Sequence, residues 1–261
     1  GAVLGVHDQG AVLSDREAGQ RLGLGVFTDG GNERVELDRV LGSTSWELDA
    51  VSGDPRAAHI FLNTSFNWSV AAAGETGKFD VRSVATHEIG HLFGLSHSAL
   101  GETTLNAQTG GRSVLGKAAV MFPIAYPPAT TLDRALTPDD IAGISDIYGT
   151  TAFRQQLGQV SGKVTLGGKG LFGAHVFAFN PRTGAIVGSF ALDTDGTFVI
   201  SGLTPGLYLV RAEPLDDADL DSFFDAKTVV NINFKATYYG KLVAVPAGGA
   251  SGTIEIKVAG K

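Results

Sequence analysis

Three histidines and a glutamate are spaced for hydrolytic metal chemistry. His87 and His91 lie four positions apart, which on a helix puts both imidazoles on one face, one turn apart, within reach of one metal ion. Gly94 lets the chain leave that helix sharply, so that His97 can swing back with a third nitrogen at about 2.0–2.1 Å while a fourth position stays open for water. Three protein ligands and one open position describe a catalytic zinc; a structural zinc would be closed. Glu88 follows the first histidine directly, which turns its carboxylate toward the water without making it a ligand. It is the candidate general base, and it can afterwards protonate a leaving amine. A bare His-Glu-x-x-His can be a chance helix with surface histidines. Gly94 and His97, however, have no shared reason to stand at their offsets in an ordinary core helix.

The elements that must position these side chains are written around them. Asp80 is a candidate N-cap for a helix from Val81 to about Phe93, with Gly94 placed to end it. Upstream, 14–22 reads as a short helix, 23–28 as a strand running into the turn residues 29–32, and 41–48 and 58–63 as further strands. Residues 101–116, rich in Gly and Thr, read as a long loop. Thr137, Pro138, Asp139 and Asp140 supply an N-cap, a proline at the first helical position and first-turn acids for a helix ending near Tyr148 and Gly149. From Gly158 the pattern changes to short alternating strands separated by Asn180-Pro181-Arg182-Thr183-Gly184, Asp195-Gly196 and Pro205-Gly206, as in an antiparallel sandwich. The fold class is therefore α+β: a domain over 1–150 built on a twisted sheet with the histidine helix, a linker over 151–157, and an all-β sandwich over 158–261.

Bulk properties narrow the function. A chain of 261 residues exceeds one ordinary hydrophobic core. A net charge of -7, with Lys and Arg scattered, disfavours nucleic acid and anionic lipid as partners. No apolar run approaches the roughly 20 residues that span a bilayer, so no membrane insertion is expected. The absence of cysteine leaves His and carboxylates as the metal ligands. The chain starts at Gly1 without a signal peptide, which reads as a processed form or a fragment, so its absence does not argue for the cytoplasm.

His87 to His97 resembles the metzincin zinc motif, and Val120-Met121-Phe122-Pro123 looks like that family's Met-turn beneath the metal. Met121 is the one methionine of the chain; its plainer reading is a core residue filling a gap. Among metzincins the chain is most similar to the matrixins, because Ser98 follows the third histidine and 136–149 resembles their closing helix. Pro123 excludes the tyrosine metal ligand that astacins and serralysins carry two residues past the methionine. The resemblance implies an extracellular zinc endopeptidase fold and activity. It also implies that a substrate strand pairs with an edge strand at Leu41, Gly42, Ser43 and Thr44, and that Pro123 to Tyr126 walls the pocket for the side chain after the cleaved bond. One extra residue precedes Tyr126 relative to the usual Pro-x-Tyr. His97 and Met121 stand 24 positions apart (97 to 121), which makes the 101–116 loop an insertion bordering the cleft. Phe61 stands where many animal matrixins place a structural-zinc histidine, so no second zinc is expected and His59 reads as a strand or surface residue. The N-terminal region is too short for the family's first strand and long first helix, which implies truncation.

Other motifs carry plainer readings. Asp217, Asp219 and Asp221 alternate as in a calcium loop, but Ser222 and Thr228 stand where glycine and glutamate are needed. Calcium is thus a cofactor candidate without a clear motif. Asp193-Thr194-Asp195-Gly196 encodes a hairpin turn and Gly167-Gly168-Lys169-Gly170 a turn. His7 and His175 have no ligand-spaced partners. Asp139 and Asp140 take capping and dipole roles, and in matrixins the matching acids buttress the Met-turn. The strand and turn pattern of 158–261 resembles the carboxypeptidase regulatory-like domain, a transthyretin-like sandwich that specifies a fold and little about activity. The expected protein is a secreted endopeptidase with one catalytic Zn2+ and polypeptide substrates, its oligomeric state left open. The alternative is a catalytically impaired protease-like protein that binds or adheres through its sandwich. The intact Glu88 argues against that alternative.

Overall fold

The computed structural model describes residues 40–49, 52, 55–107, 111–225 and 227–261; the helix expected at 14–22, the strand and turn at 23–32, and His7 lie outside them. The chain forms two compact units, Gly1–Ser96 with Thr103–Ala135, and His97–Glu102 with Leu136–Lys261.

In the first unit β1 (Gly42–Leu48) pairs antiparallel with β2 (Pro55–Leu62), setting Gly42 opposite Leu62 and Thr44 opposite Ile60. A short parallel pair, β3 (Trp68–Ser69) and β4 (Phe79–Asp80), feeds directly into α1 (Val81–Leu92). Among the described residues, Leu41, Val84 and Ala125 form one buried apolar cluster of this unit, with Leu62, Phe66, Trp68 and Phe79 packed against it.

The helix starts and stops where the sequence places it. The Asp80 carboxylate accepts the Ser83 N–H at 2.7 Å and is gripped by Arg134, Nε to Oδ1 at 3.0 Å and Nη2 to Oδ2. Arg134 also donates to the carbonyls of Ala72 and Ala71, at 2.7 and 2.5 Å. Burial pushes the Asp80 carboxyl up, but the Arg134 guanidinium and the Ser83 N–H outweigh it and hold it below the usual carboxylate range. At the other end Gly94 adopts φ +85. Its N–H reaches His91 O at 2.8 Å and the Leu95 N–H reaches Gly90 O at 3.0 Å, the paired closure that a left-handed glycine permits.

Residues 101–116 are a correction. They hold β5 (Glu102–Leu105) and β6 (Arg112–Leu115), which form a two-stranded sheet. The four-residue strands are too short and too exposed to leave a readable alternation.

In the second unit α2 (Pro138–Tyr148) begins with a complete capping box between Thr137 and Asp140, and α3 (Thr151–Arg154) occupies part of the expected linker. The strands that follow are β7 (Gly158–Leu166), β8 (Lys169–Gly170), β9 (His175–Phe179), β10 (Ile186–Phe190), β11 (Thr197–Leu203), β12 (Gly206–Glu213), β13 (Thr237–Tyr238), β14 (Val243–Val245) and β15 (Ile254–Val258). One sheet runs β10-β9-β12-β13, with β14 also on β12; the other runs β11-β7-β15, with β8 also on β7. Inward residues of both sheets share one core, among them Val160, Val176, Phe198, Ile200, Tyr208 and Ile256. Ala142 of α2 joins the same core. A β-carbon on Gly202 would stand 2.7 Å from the Ala142 Cβ, so the glycine lets α2 sit down on β11. Compactness thus groups α2 with the strands that follow it, whereas composition grouped it with what precedes.

Two local readings differ from the structure. β15 runs parallel to β7, so the sheets are not purely antiparallel. The turn at Asp193 to Gly196 joins β10 to β11, which belong to different sheets, so it is a crossover turn and not a hairpin, although Gly196 does take φ +79. Turn chemistry fixes a chain reversal; it does not fix which neighbour the next strand pairs with. Among the described residues no helix is long and apolar enough to cross a membrane.

Candidate metal centre

The buried face of α1 carries Ser83, Val84, His87, Glu88 and His91. That spacing is the usual apolar stripe of a packed helix, here occupied at its functional end by ionisable groups. Burying such groups is costly unless each is hydrogen-bonded or bound to a metal.

Each histidine is held by a backbone carbonyl on one side of its ring. Nδ1 of His87 lies 2.6 Å from Val120 O, that of His91 2.7 Å from Leu95 O, and that of His97 2.6 Å from Ser222 O. A carbonyl only accepts, so every Nδ1 carries the proton and every Nε2 presents a lone pair. The three residues each offer a ring nitrogen, all within 4.8 Å of one another. His87 Nε2 and His91 Nε2 approach to 2.9 Å. Two lone pairs facing at that distance repel, and a cation between them removes the conflict. Three neutral imidazoles without a thiolate suit zinc, and among the described residues this is the one convergent group of three such ligands.

Glu88 is fully buried beside them. Its Oε2 accepts the Thr44 hydroxyl at 2.7 Å; the same hydroxyl lies 2.9 Å from the Glu88 carbonyl. Its Oε1 is buried without a hydrogen-bond partner among the described residues. Burial pushes the carboxyl up to about 7, against the lowering effect of Thr44. A β-carbon on Gly42 would come within 2.8 Å of Oε1, so the glycine is what lets β1 lie against the glutamate.

Met121 is buried, with its sulfur against Gly90, the residue preceding His91. Residues 120 and 121 therefore supply two things to the helix: the Met121 sulfur and the Val120 carbonyl that holds His87.

The expected substrate residues fall in varied settings. The Leu41 side chain is in the core and its carbonyl accepts from the Asn63 N–H at 2.8 Å. Gly42 abuts Glu88, as described. Pro123 is buried. The Tyr126 hydroxyl accepts from the Ala118 N–H at 2.7 Å and donates to Gly116 O at 3.0 Å, and burial pushes it up against the effect of that N–H. Asp139 accepts from the Ser98 hydroxyl at 2.6 Å and the Gly188 N–H at 2.7 Å, with burial pushing its carboxyl up to about 6. His59 lies 3.0 Å from Glu47 across the β1–β2 pair, and His175 lies 3.0 Å from Glu213.

Reading the sequence missed the Thr44 side chain, Gly90, and the carbonyls of Leu95 and Ser222. Gly90 alone left a signal, since a glycine inside a strong helix asks for a packing reason. Backbone acceptors leave none.

Comparison with known proteins points the same way. The matrixin family model (Peptidase_M10) matches residues 38–110. Metalloendoproteinase 2-MMP of Arabidopsis thaliana is 31% identical over 144 residues, covering 52% of this chain and 32% of that protein. Karilysin of Tannerella forsythia is 30% identical over 98 residues, 38% of this chain and 16% of that one. Matrilysin of Rattus norvegicus is 37% identical over 76 residues, 29% and 22% respectively. Among solved structures, the Bacillus anthracis TIE protein covers 40% of this chain and 17% of its own at 15% identity, with a TM-score of 0.28 that carries no argument. The chain spans about a third of the length of the Arabidopsis relatives it matches. Over 38–110, which holds His87, Glu88, His91 and His97, the chain is thus similar to the matrixin family, and it resembles metalloendoproteinases at about 30% identity.

Proposed function

We propose that this chain is a secreted zinc endopeptidase that hydrolyses extended polypeptides outside the cell, with His87, His91 and His97 as metal ligands and Glu88 as general base. The observation that carries the reading is the set of three Nδ1-to-carbonyl hydrogen bonds on imidazoles whose ring nitrogens lie within 4.8 Å of one another, beside a buried carboxylate with one oxygen that has no hydrogen-bond partner among the described residues. A bound zinc would supply Lewis-acid polarisation of a peptide carbonyl and acidify a water molecule. Glu88 Oε1 accepts the proton of the attacking water and passes it to the departing nitrogen. Gly42 opens β1, the strand against which an extended substrate would run, with Leu41 just before it, and Pro123 and Tyr126 border the pocket for its side chain. The two-sheet unit is an accessory module of transthyretin-like type, beginning near 158 after the catalytic domain of 1–150. No calcium is required by this reading.

The test is cleavage of a broad set of quenched peptides by the wild type, with and without a zinc chelator, beside Glu88→Ala. Chelator-sensitive cleavage that Glu88→Ala loses while still binding one zinc per chain is expected. Equal cleavage by both proteins, or no cleavage by the wild type, overturns the assignment.

A further inference from the structure

Glu88 holds its two carboxylate oxygens in different states: Oε2 is bonded to Thr44 and Oε1 has no partner among the described residues. We infer that Thr44 is a positioning residue for the base, holding Oε2 so that Oε1 alone faces the reacting water; this rests on the hydrolase reading above.

The argument comes from strand and helix geometry. Thr44 lies in β1 opposite Ile60 of β2 and is 1% exposed. Its hydroxyl has one proton to give and two acceptors near it, Glu88 Oε2 at 2.7 Å and Glu88 O at 2.9 Å. The helix carbonyl has a helical amide as its natural partner, whereas the carboxylate is the shorter contact and, when ionised, the stronger acceptor. Two residues earlier, on the same face of the strand, Gly42 closes against the other oxygen, 2.8 Å from where its β-carbon would be. The carboxylate is thus held at one oxygen by a hydrogen bond and confined beside the other by backbone. Rotation of the carboxyl group would break the Thr44 bond and exchange the oxygens. A side chain that must present one oxygen to a water gains from having that rotation stopped.

The test compares Thr44→Val, which keeps shape and strand preference without the hydroxyl, with Thr44→Ser, which keeps the hydroxyl. If Thr44→Val does not fold, Thr44→Ala replaces it, since the Ser and Ala variants differ only in the oxygen. Zinc content, zinc affinity by chelator competition, kcat and KM are measured on the full chain. The expected result is a kcat lowered on the order of 10- to 100-fold in Thr44→Val, with KM and zinc affinity within about twofold of wild type and most of kcat restored in Thr44→Ser. An undiminished kcat in the folded, zinc-loaded Thr44→Val variant overturns the positioning role and leaves the hydrolase reading intact. Equal losses in the Val and Ser variants, or a loss that follows zinc release, overturn it too. Absence of cleavage by the wild type overturns both readings.

Discussion

The Met121 sulfur rests against the backbone of Gly90: a β-carbon placed on that glycine would stand 2.3 Å from Sδ and 3.1 Å from Cε. Met121 is 3% exposed, so it has little room to retreat. Met121 and the helix turn that carries His91 are therefore in direct contact, and the contact requires the smallest residue.

Gly90→Ala should destabilise the protein by about 1–3 kcal/mol, the usual cost of overpacking a buried site, despite alanine's better helix propensity. Met121→Ala on that background should recover part of the loss, giving a double-mutant coupling of opposite sign to the single losses. Thermal or urea melts of the four proteins check this; strictly additive effects would contradict the contact.

Arg134→Ala should lower the melting temperature and loosen the start of α1, because it leaves the Asp80 carboxylate buried and deprived of its fork. Arg134→Lys should recover only part, since an ammonium cannot reach both carboxylate oxygens and the Ala71 and Ala72 carbonyls in one plane. Hydrogen exchange of the amides of 81–84 reads the loosening directly.

Removing metal should lower the melting temperature by an amount that depends on free zinc. Binding to the folded state alone stabilises by about 4 kcal/mol at a thousandfold excess over the dissociation constant. A titration of melting temperature against buffered zinc gives the affinity, and His97→Ala should reduce that slope without abolishing folding. Identical melts with and without chelator would contradict a bound metal.

The Asp139 carboxyl, raised from its ordinary range to about 6 by burial, makes stability depend on pH. The folded state holds the proton more tightly than the unfolded one. Its contribution is therefore fully present below about pH 4 and is lost as pH rises toward 6, a penalty on the order of 3 kcal/mol above that window. Asp139→Asn can still accept from Gly188 and now donates to Ser98, so its melting temperature should vary less between pH 4 and 6 than that of the wild type.

What could be read from the sequence was local. His87, His91, Gly94 and His97 lie within one helix and its exit, and the α1 boundaries follow from Asp80 and Gly94, whose roles depend on neighbours a few positions away. The missed pieces join distant positions. Thr44 meets Glu88 across 44 positions and Ser222 meets His97 across 125, and no periodicity encodes such meetings. The β5–β6 sheet was missed for another reason: its strands are short, so composition outweighed pattern. The crossover at Asp195 and Gly196 failed because a turn motif names the bend and not the partner strand.

The backbone tethers on the imidazoles have a consequence for how this centre can change over time. Every residue type keeps a carbonyl, so replacements at Val120, Leu95 and Ser222 leave the acceptors themselves in place. The orientation of the three imidazoles is insulated from point substitution at the positions that hold them, and is vulnerable instead to insertions or deletions that re-route the chain. Loop length, more than side-chain identity, is then the variable through which the histidine cluster can drift.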